Sequence, residues 1–326
     1  MIMYNDIKLE KSLYNLSGKS FTQALCELDP DEGYAGSDLR GLDAYERQLK
    51  RFDIRVCGAD SDRVEKFFET AQSAVLFPEF VRRAVKQGMD STVLPEIVAA
   101  FTATASLDYR GFEVSDNGVP YSTPTAQSAA LPETAITLGS ELVSLKKFGR
   151  VLCTSYEAIR QQRLDVFAVT LRAVGTQLSR AVTGQAVDVL TAGTTPVSMG
   201  GSAFSYAELI AFWGRFTDFD LTTVLASPTT LAKILAFEEM DYAHDDALSG
   251  GAITTRFGVR LVKASGVPDD LLIGLDKSCA LEMVNGSGVV LETDKLLDRQ
   301  VDRTVISVTT GFSKIMKGAV QVLDIG

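Results

Sequence analysis

The sequence predicts an α+β chain, on three observations. The first is a helical run from Thr154 to Leu190, set between two stretches with β-strand character. Its apolar residues Leu164, Phe167, Leu171, Val174, Leu178 and Ala181 recur at alternating steps of three and four, so they share one helical face. The second is a pair of strand-like runs on either side of Ser115 to Glu133, a segment with three prolines and many small polar residues. The third is an alternation of helical and strand patterns after Ser205 that closes in two strand candidates, Thr304 to Val308 and Ala319 to Asp324.

Taken in order, residues 1 to about 60 are the least regular. Asp29 to Asp38 is acidic, turn-rich and offers no core, and Leu42 to Phe52 reads as a short helix. The segment reads as an extended arm that orders against something else or, equally from composition alone, as a floppy tail. Ser61 to Lys86 reads as helical, with Val64, Phe67, Phe68, Ala71 and Val75 at helical spacing. Pro78 interrupts it and suits the first turn of a new helix. Leu107, Tyr109 and Phe112 suggest a strand over Thr104 to Val114, and Ala135 to Lys147 reads as its partner. The economical arrangement is a long two-stranded ribbon with a mobile tip. Such a ribbon is marginal in water and implies packing on another surface.

The helical run is expected to open with a Thr154/Glu157 capping box and to turn off at Gly193. At 1.5 Å per residue it would extend roughly 55 Å as a one-sided girder. Gln162, Asp165, Arg172, Thr176 and Arg180 form its polar face, with Arg160 and Arg163 nearer the apolar side. Ala192 to Ser202 is a Gly/Ser/Thr linker. Ser205 to Phe216 is a helix with a Ser205/Glu208 capping box, Leu221 to Ala226 a short buried strand, and Ser227-Pro228 opens a helix through Phe237. Phe257 to Lys263, Asp270 to Gly274 and Val289 to Leu291 read as strands.

Composition bounds the function. With 46% apolar and 23% charged residues, the 326-residue chain can build a sizeable core. No window holds the roughly 18 consecutive apolar residues of a membrane span. The first ten residues lack the cationic start and apolar core of a signal peptide, so cytoplasmic synthesis is expected. A net charge of −10 argues against gripping nucleic acid through a broad basic surface, though not against enclosing it. Cys26, Cys57, Cys153 and Cys279 are far apart without metal-ligand spacing and read as buried free thiols.

Catalytic patterns are missing. The one histidine, His244, sits in the acidic stretch Glu238 to Asp246, which reads as a solvated loop; a cation site there would need a coordination spacing it does not have. Gly250-Gly251 and Asn285-Gly286-Ser287-Gly288 match no phosphate-binding order and read as turns.

The order of parts carries more than any motif: arm, a helix with Leu76-Phe77-Pro78-Glu79-Phe80, ribbon, girder helix, αβα segment, returning strands. Together with Gly250 to Gly274 and the closing run Arg303 to Ile325, it resembles the major capsid protein of tailed bacteriophages, the Hong Kong ninety-seven fold. The likeness covers nearly the whole chain, best from about Leu76 to Ile325. It implies an N-terminal arm (1–60), a helical lead-in (61–103) and an extended loop (104–150) reaching onto a neighbouring subunit. It further implies a peripheral domain (151–202 and 300–326) with the spine helix, and an axial domain (203–299). Assembly residues are then expected at the loop tip, Val119, Tyr121, Thr123 and Leu131, and spine packing at Leu164, Phe167, Leu171, Val174 and Leu178.

The resemblance implies a shell protein of the virion, made in the host cytoplasm, that self-assembles as hexamers and pentamers into an icosahedral container for double-stranded DNA, bound without sequence specificity. It implies no catalysis, metal or cofactor. With only about sixty residues before the first solid helix and no heptads, a separate scaffolding protein is expected, or a chain in mature form, beside a portal and a cementing protein. Some members crosslink a loop lysine to a neighbour's asparagine; from Thr102 to Leu145 this chain has no lysine. Two rival readings are an encapsulin-type compartment packaging enzymes and a metal-dependent hydrolase built on the acidic loop.

Overall fold

The computed structural model describes residues 4–16, 19–34, 36–106, 108–115, 124–243, 253–296 and 301–326. Helices and strands follow one another as α1 (Phe21–Leu28), α2 (Ala44–Arg51), α3 (Phe77–Asp90), α4 (Leu94–Ile97), β1 (Ala100–Ala103), β2 (Phe112–Ser115), β3 (Ala135–Leu138) and β4 (Lys146–Ser155). Then come α5 (Tyr156–Gln161), α6 (Leu164–Thr191), β5 (Val197–Ser198), α7 (Tyr206–Trp213), β6 (Thr223–Ala226) and α8 (Pro228–Leu235). Strands β7 (Ile253–Thr254), β8 (Arg260–Lys263), β9 (Leu271–Leu275), β10 (Leu281–Leu296), β11 (Val301–Lys314) and β12 (Val320–Asp324) complete the chain. They form a four-stranded sheet in the order β1-β10-β11-β4, a six-stranded sheet β5-β12-β9-β6-β8-β7, and the pair β2-β3.

The chain divides into two compact units. The first holds Met1–Ser91, Gly149–Gln177 and Val289–Ser307; the second holds Thr92–Phe148, Leu178–Gly288 and Val308–Gly326.

In the first unit, residues 4–60 do not form the expected extended arm. Ile7, Leu9, Phe21, Leu25, Tyr45, Leu49 and Ile54 are buried. Capping boxes, Ser20 with Gln23 and Asp43 with Glu46, start α1 and α2. The acidic stretch is built around Arg47, which is fully buried. Its guanidinium donates to the Asp29 carboxylate at 2.6 Å and to Asp31 at 2.9 Å, and lies 4.3 Å from the Tyr34 ring centroid. A second buried acid, Glu79, accepts from Thr22 (2.7 Å), Arg82 (2.7 Å) and Arg83 (2.8 Å), tying α1 to α3. Sequence pattern misses both networks because each joins residues distant in the chain.

Ser61 to Leu76 is not a continuous helix: two 3₁₀ turns, Val64–Phe68 and Ser73–Leu76, precede α3. Phe67, Phe77, Phe80 and Phe167 stack in a cluster with centroids 5.6 to 6.4 Å apart. Helices α3 and α6 meet at glycines. A Cβ on Gly88 would lie 2.1 Å from the Arg172 carbonyl oxygen, and one on Gly175 would lie 2.1 Å from that of Val85.

The girder expected over Thr154 to Leu190 is broken. β4 runs through Ser155, so the helix does not start at Thr154, and the Ser155 hydroxyl accepts from the Ala158 N–H at 3.3 Å; the side chains of Thr154 and Glu157, and with them the expected capping box, lie outside the described residues. Helix α5 stops at Gln161 because the next backbone groups are engaged elsewhere. The Gln162 carbonyl accepts from Val64 N–H (2.9 Å), Leu164 N–H donates to Asp62 (2.8 Å), and Arg63 and Arg163 form an antiparallel bridge. The 28 residues of α6 therefore span about 42 Å. Its second half is not one-sided either: Ser179, Thr183 and Gln185 are buried, the Thr183 hydroxyl donating to the Ser179 carbonyl and the Gln185 amide to the Ser144 carbonyl, while Ala181 is exposed. Gly193, at φ +68°, turns the chain after α6.

In the second unit, the six-stranded sheet is mixed. β6 pairs parallel to β8 and antiparallel to β9, and β12 pairs antiparallel to β9 and parallel to β5. Tyr206, Leu209 and Phe212 of α7 and Leu231 and Ile234 of α8 pack with Val224, Leu261, Leu272 and Leu323 of this sheet. The Ser227 hydroxyl caps α8 through the Thr230 N–H, with Pro228 in its first turn. Ser205 makes no such cap for α7. Glu208 instead accepts from the N–H groups of Gly200 (3.1 Å) and Gly201 (2.8 Å), folding the linker back. Asn285 to Gly288 is no turn but the middle of β10, and the described residues of Thr104 to Gly111 are not strand. Cys57 and Cys153 are exposed, contrary to the expectation of four buried thiols.

Candidate assembly surface

The ribbon β2–β3 belongs to the second unit and is four residues long on each side, registered from Phe112 opposite Leu138 to Ser115 opposite Ala135. Its root is fixed. Gly139 N–H donates to the Gly111 carbonyl at 2.7 Å and Val143 N–H to that of Tyr109 at 2.9 Å. The Arg110 guanidinium donates to the carbonyls of Ser140 (2.6 Å) and Gly139 (3.3 Å). Beneath lies the buried Glu282 of β10, whose Oε1 accepts from the Tyr109 and Thr102 hydroxyls, each at 2.5 Å. Burial, and next the bond to Glu282, push the Tyr109 phenol above its ordinary pKa, so it remains a donor.

Beyond this root the ribbon offers apolar side chains to solvent: Phe112 is 53% exposed, Ile136 69%, Leu138 64% and Leu131 76%. Single exposed apolar residues are ordinary, but a cluster on a free strand pair marks an interaction surface. All four residues of β3 are exposed.

A cleft of about 430 Å³ flanks the root, lined among others by Leu142, Lys146, Gln185, Phe312 and Lys314. The Lys314 ammonium donates to the Ala192 carbonyl and the Thr194 hydroxyl, both at 2.7 Å, and burial, then the charge of Lys317, lowers its pKa. The Gln185 amide donates to the Ser144 carbonyl at 3.2 Å. Among the described residues no three of His, Cys, Asp and Glu are grouped to hold a metal, and no helix is long and apolar enough to cross a membrane. Of the acidic stretch, Glu238–Ala243 is not a loop but a 3₁₀ turn with Met240 buried; His244, Asp245 and Asp246, with Gly250 and Gly251, lie outside the described residues, as do Val119, Tyr121 and Thr123 of the expected tip.

Of the spine residues, Leu164, Phe167 and Leu171 are buried and Val174 half-buried in the first unit; Leu178 is buried in the second. Sequence reasoning passed over Arg110 and Glu282. Both left a signal: Arg110 is the one cation between Thr102 and Leu145, and Glu282 is a lone carboxylate within the apolar run Ala280 to Val284.

The solved structures this chain resembles are shells. It matches the capsid of a native GTA particle at 13% identity and TM-score 0.54, over 74% of this chain and 90% of that one. It matches the virus-like particle from Pyrococcus furiosus at 12% identity and TM-score 0.52, over 76% and 98%. At such identities the likeness concerns the fold. The holo-SrpI encapsulin complex from Synechococcus elongatus PCC 7942 is also similar, at 16% identity and TM-score 0.49, over 71% and 86%. No curated protein matches by sequence. The family model for phage capsid protein matches residues 138–313, from the end of the ribbon through α6 and five strands of the six-stranded sheet into the last residues of β11, with β12 outside it. That stretch is more than half of the chain, so this protein belongs to the phage capsid protein family.

Proposed function

We propose that this chain is the major head protein of a virion, assembling as hexamers and pentamers into an icosahedral shell around double-stranded DNA. The observation that carries the reading is the ribbon: an anchored root, and beyond it apolar side chains left in water, on a chain of a phage capsid family. Such surface favours a partner by roughly 25 cal/mol per Å² buried, and a shell sums many modest contacts of this kind. With a net charge of −10 the wall encloses DNA without reading its sequence. Its work is association and not catalysis, with a separate scaffolding protein, a portal and a cementing protein as partners. Electron microscopy of the chain expressed with its neighbouring gene products tests this, closed shells being the expected result. Deleting Val119 to Ala130 should leave a folded subunit that forms no closed shell; normal shells from the deletion would refute the ribbon's role. DNA-packaging proteins copurifying with the shells support a head, whereas a copurifying enzyme points to a compartment.

A further inference from the structure

The cleft at the ribbon's root belongs wholly to the second unit, and its volume of about 430 Å³ is that of a small-ligand site. The root, α6 and the end of β11 wall it. On α6, Gln185, Asp188 and Val189 lie three and four residues apart and share one face. Gln185 is 5% exposed; its amide N–H bonds the Ser144 carbonyl, while its buried Oε1 has no donor among the described residues. A buried acceptor without a donor is rare in native proteins and asks for one. Lys314 spends two of its three ammonium N–H groups on Ala192 and Thr194, which leaves one for an anion. Elsewhere on the wall Lys317 lies 3.6 Å from Glu113, and the charge of Lys146 is offset by that of Glu141. Phe112 and Leu142, each more than half exposed, add apolar surface.

We propose that this cleft binds a zwitterionic α-amino acid with a bulky apolar side chain. Its ammonium donates to Gln185 Oε1 and the Asp188 carboxylate, its carboxylate accepts from Lys314, and its side chain lies along Phe112, Leu142 and Val189. Each part of the ligand answers one feature of the wall. Gln185 Oε1 requires a donor, and the exposed Asp188 on the same face makes a charged donor better than a neutral one. Lys314 requires an acceptor, and a carboxylate serves an ammonium better than a neutral carbonyl does. Lys146, Lys314 and Lys317 against Glu113, Glu141 and Asp188 leave the wall without net charge. That balance disfavours a polyphosphate or a bare metal ion and suits a molecule whose own charges cancel. Once bound, the ligand joins the ribbon's root to α6 and β11 and stabilises the arrangement in which they meet. All the groups belong to one subunit, so the site stands whether or not the chain forms shells.

Calorimetric titration of the full-length subunit at low salt tests this with three probes. L-Phenylalanine should bind with a Kd of about 0.1 to 1 mM, ordinary for a ligand of this size. 3-Phenylpropanoate lacks the ammonium and L-phenylalaninamide lacks the carboxylate, and each should bind about tenfold more weakly. Asp188→Asn changes an exposed helix position, so the urea midpoint should hold. It should weaken L-phenylalanine about three- to fivefold and leave 3-phenylpropanoate unchanged. Lys314→Met should do the opposite for the two analogues, weakening 3-phenylpropanoate and sparing L-phenylalaninamide; if it fails to fold, Asp188→Asn decides. At saturation the Gly139 and Val143 amides, which pin the root, should exchange more slowly with solvent. No heat of binding up to about 10 mM L-phenylalanine would overturn the proposal. So would equal affinity for the three probes, an Asp188→Asn subunit that binds L-phenylalanine like the parent, or binding that leaves the two amides unchanged.

Discussion

The helix crossing at Gly88 and Gly175 sets up a test of packing against propensity. In an open helix, Gly→Ala stabilises by about 0.8 to 1 kcal/mol, because alanine restricts the unfolded chain and suits the helix. At Gly88 the new methyl would stand 2.1 Å from the Arg172 carbonyl oxygen and 2.8 Å from its carbon, about 1.3 Å inside the 3.4 Å where ordinary contact begins. The obstacle is backbone, so no side chain can swing aside; the helices must separate. Overpacking of this kind costs about 1 to 3 kcal/mol, and here it loosens the packing of Val81, Val85, Phe167 and Leu171. The expected net loss is about 1 to 2 kcal/mol for Gly88→Ala, and the same for Gly175→Ala. Because one separation of the helices relieves both clashes, the double variant should lose clearly less than the sum. Gly184 of α6 is the control, since a Cβ there meets nothing within 4 Å and Gly184→Ala should gain stability. Urea midpoints of the unassembled subunit at constant slope measure all four. Equal shifts for Gly88→Ala and Gly184→Ala, or strict additivity of the crossing pair, would refute the reasoning.

Three further outcomes are expected. Arg47→Met strands the buried Asp29 carboxylate and should destabilise the subunit by about 3 to 5 kcal/mol; a midpoint shift typical of a surface change would show that the pair is not closed as described. For Glu79, burial opposes ionisation, but the bonds from Arg82, Thr22 and Arg83 prevail and hold its pKa below the ordinary 4.5. Its contribution is therefore present above pH 4.5 and lost as pH falls through the depressed folded value. Glu79→Gln should lower the urea midpoint at pH 7 and flatten its acid limb, whereas parallel acid limbs would remove Glu79 from the account. Without a lysine between Thr102 and Leu145, reduced shells boiled in detergent should yield single chains of about 35 kDa; a ladder under reducing conditions would point to covalent links, with Lys146 and Lys147 the first suspects.

What the sequence made legible was local. The apolar period of α6, the proline that restarts the helix at Phe77, the cap at Ser227 and the poverty of core residues around Ser115 to Glu133 are patterns within a few turns of chain, and they suffice to order the parts. The misses share another cause. Helix α5 ends at Gln161 although its sequence would continue, because Gln162 and Leu164 exchange backbone hydrogen bonds with Val64 and Asp62, about a hundred residues away. Asn285 to Gly288 has turn composition yet lies in strand, where β10 sits between β1 and β11 and Asn285 is paired with Ala103. Glu208 has the spacing of a capping box but finds two glycine N–H groups of the linker instead. In the first two cases long-range backbone pairing, and in the third a carboxylate taken by nearby N–H groups, overrides a local preference worth about 1 kcal/mol or less. The assembly surface is harder to read for the same reason in reverse. Ile136, Leu138 and Val151 look in sequence like ordinary inward-facing strand residues, and only the fold reveals them in water. Under the proposed role the working groups are apolar side chains such as these, which acquire meaning once the rest of the chain has decided which of them to leave uncovered.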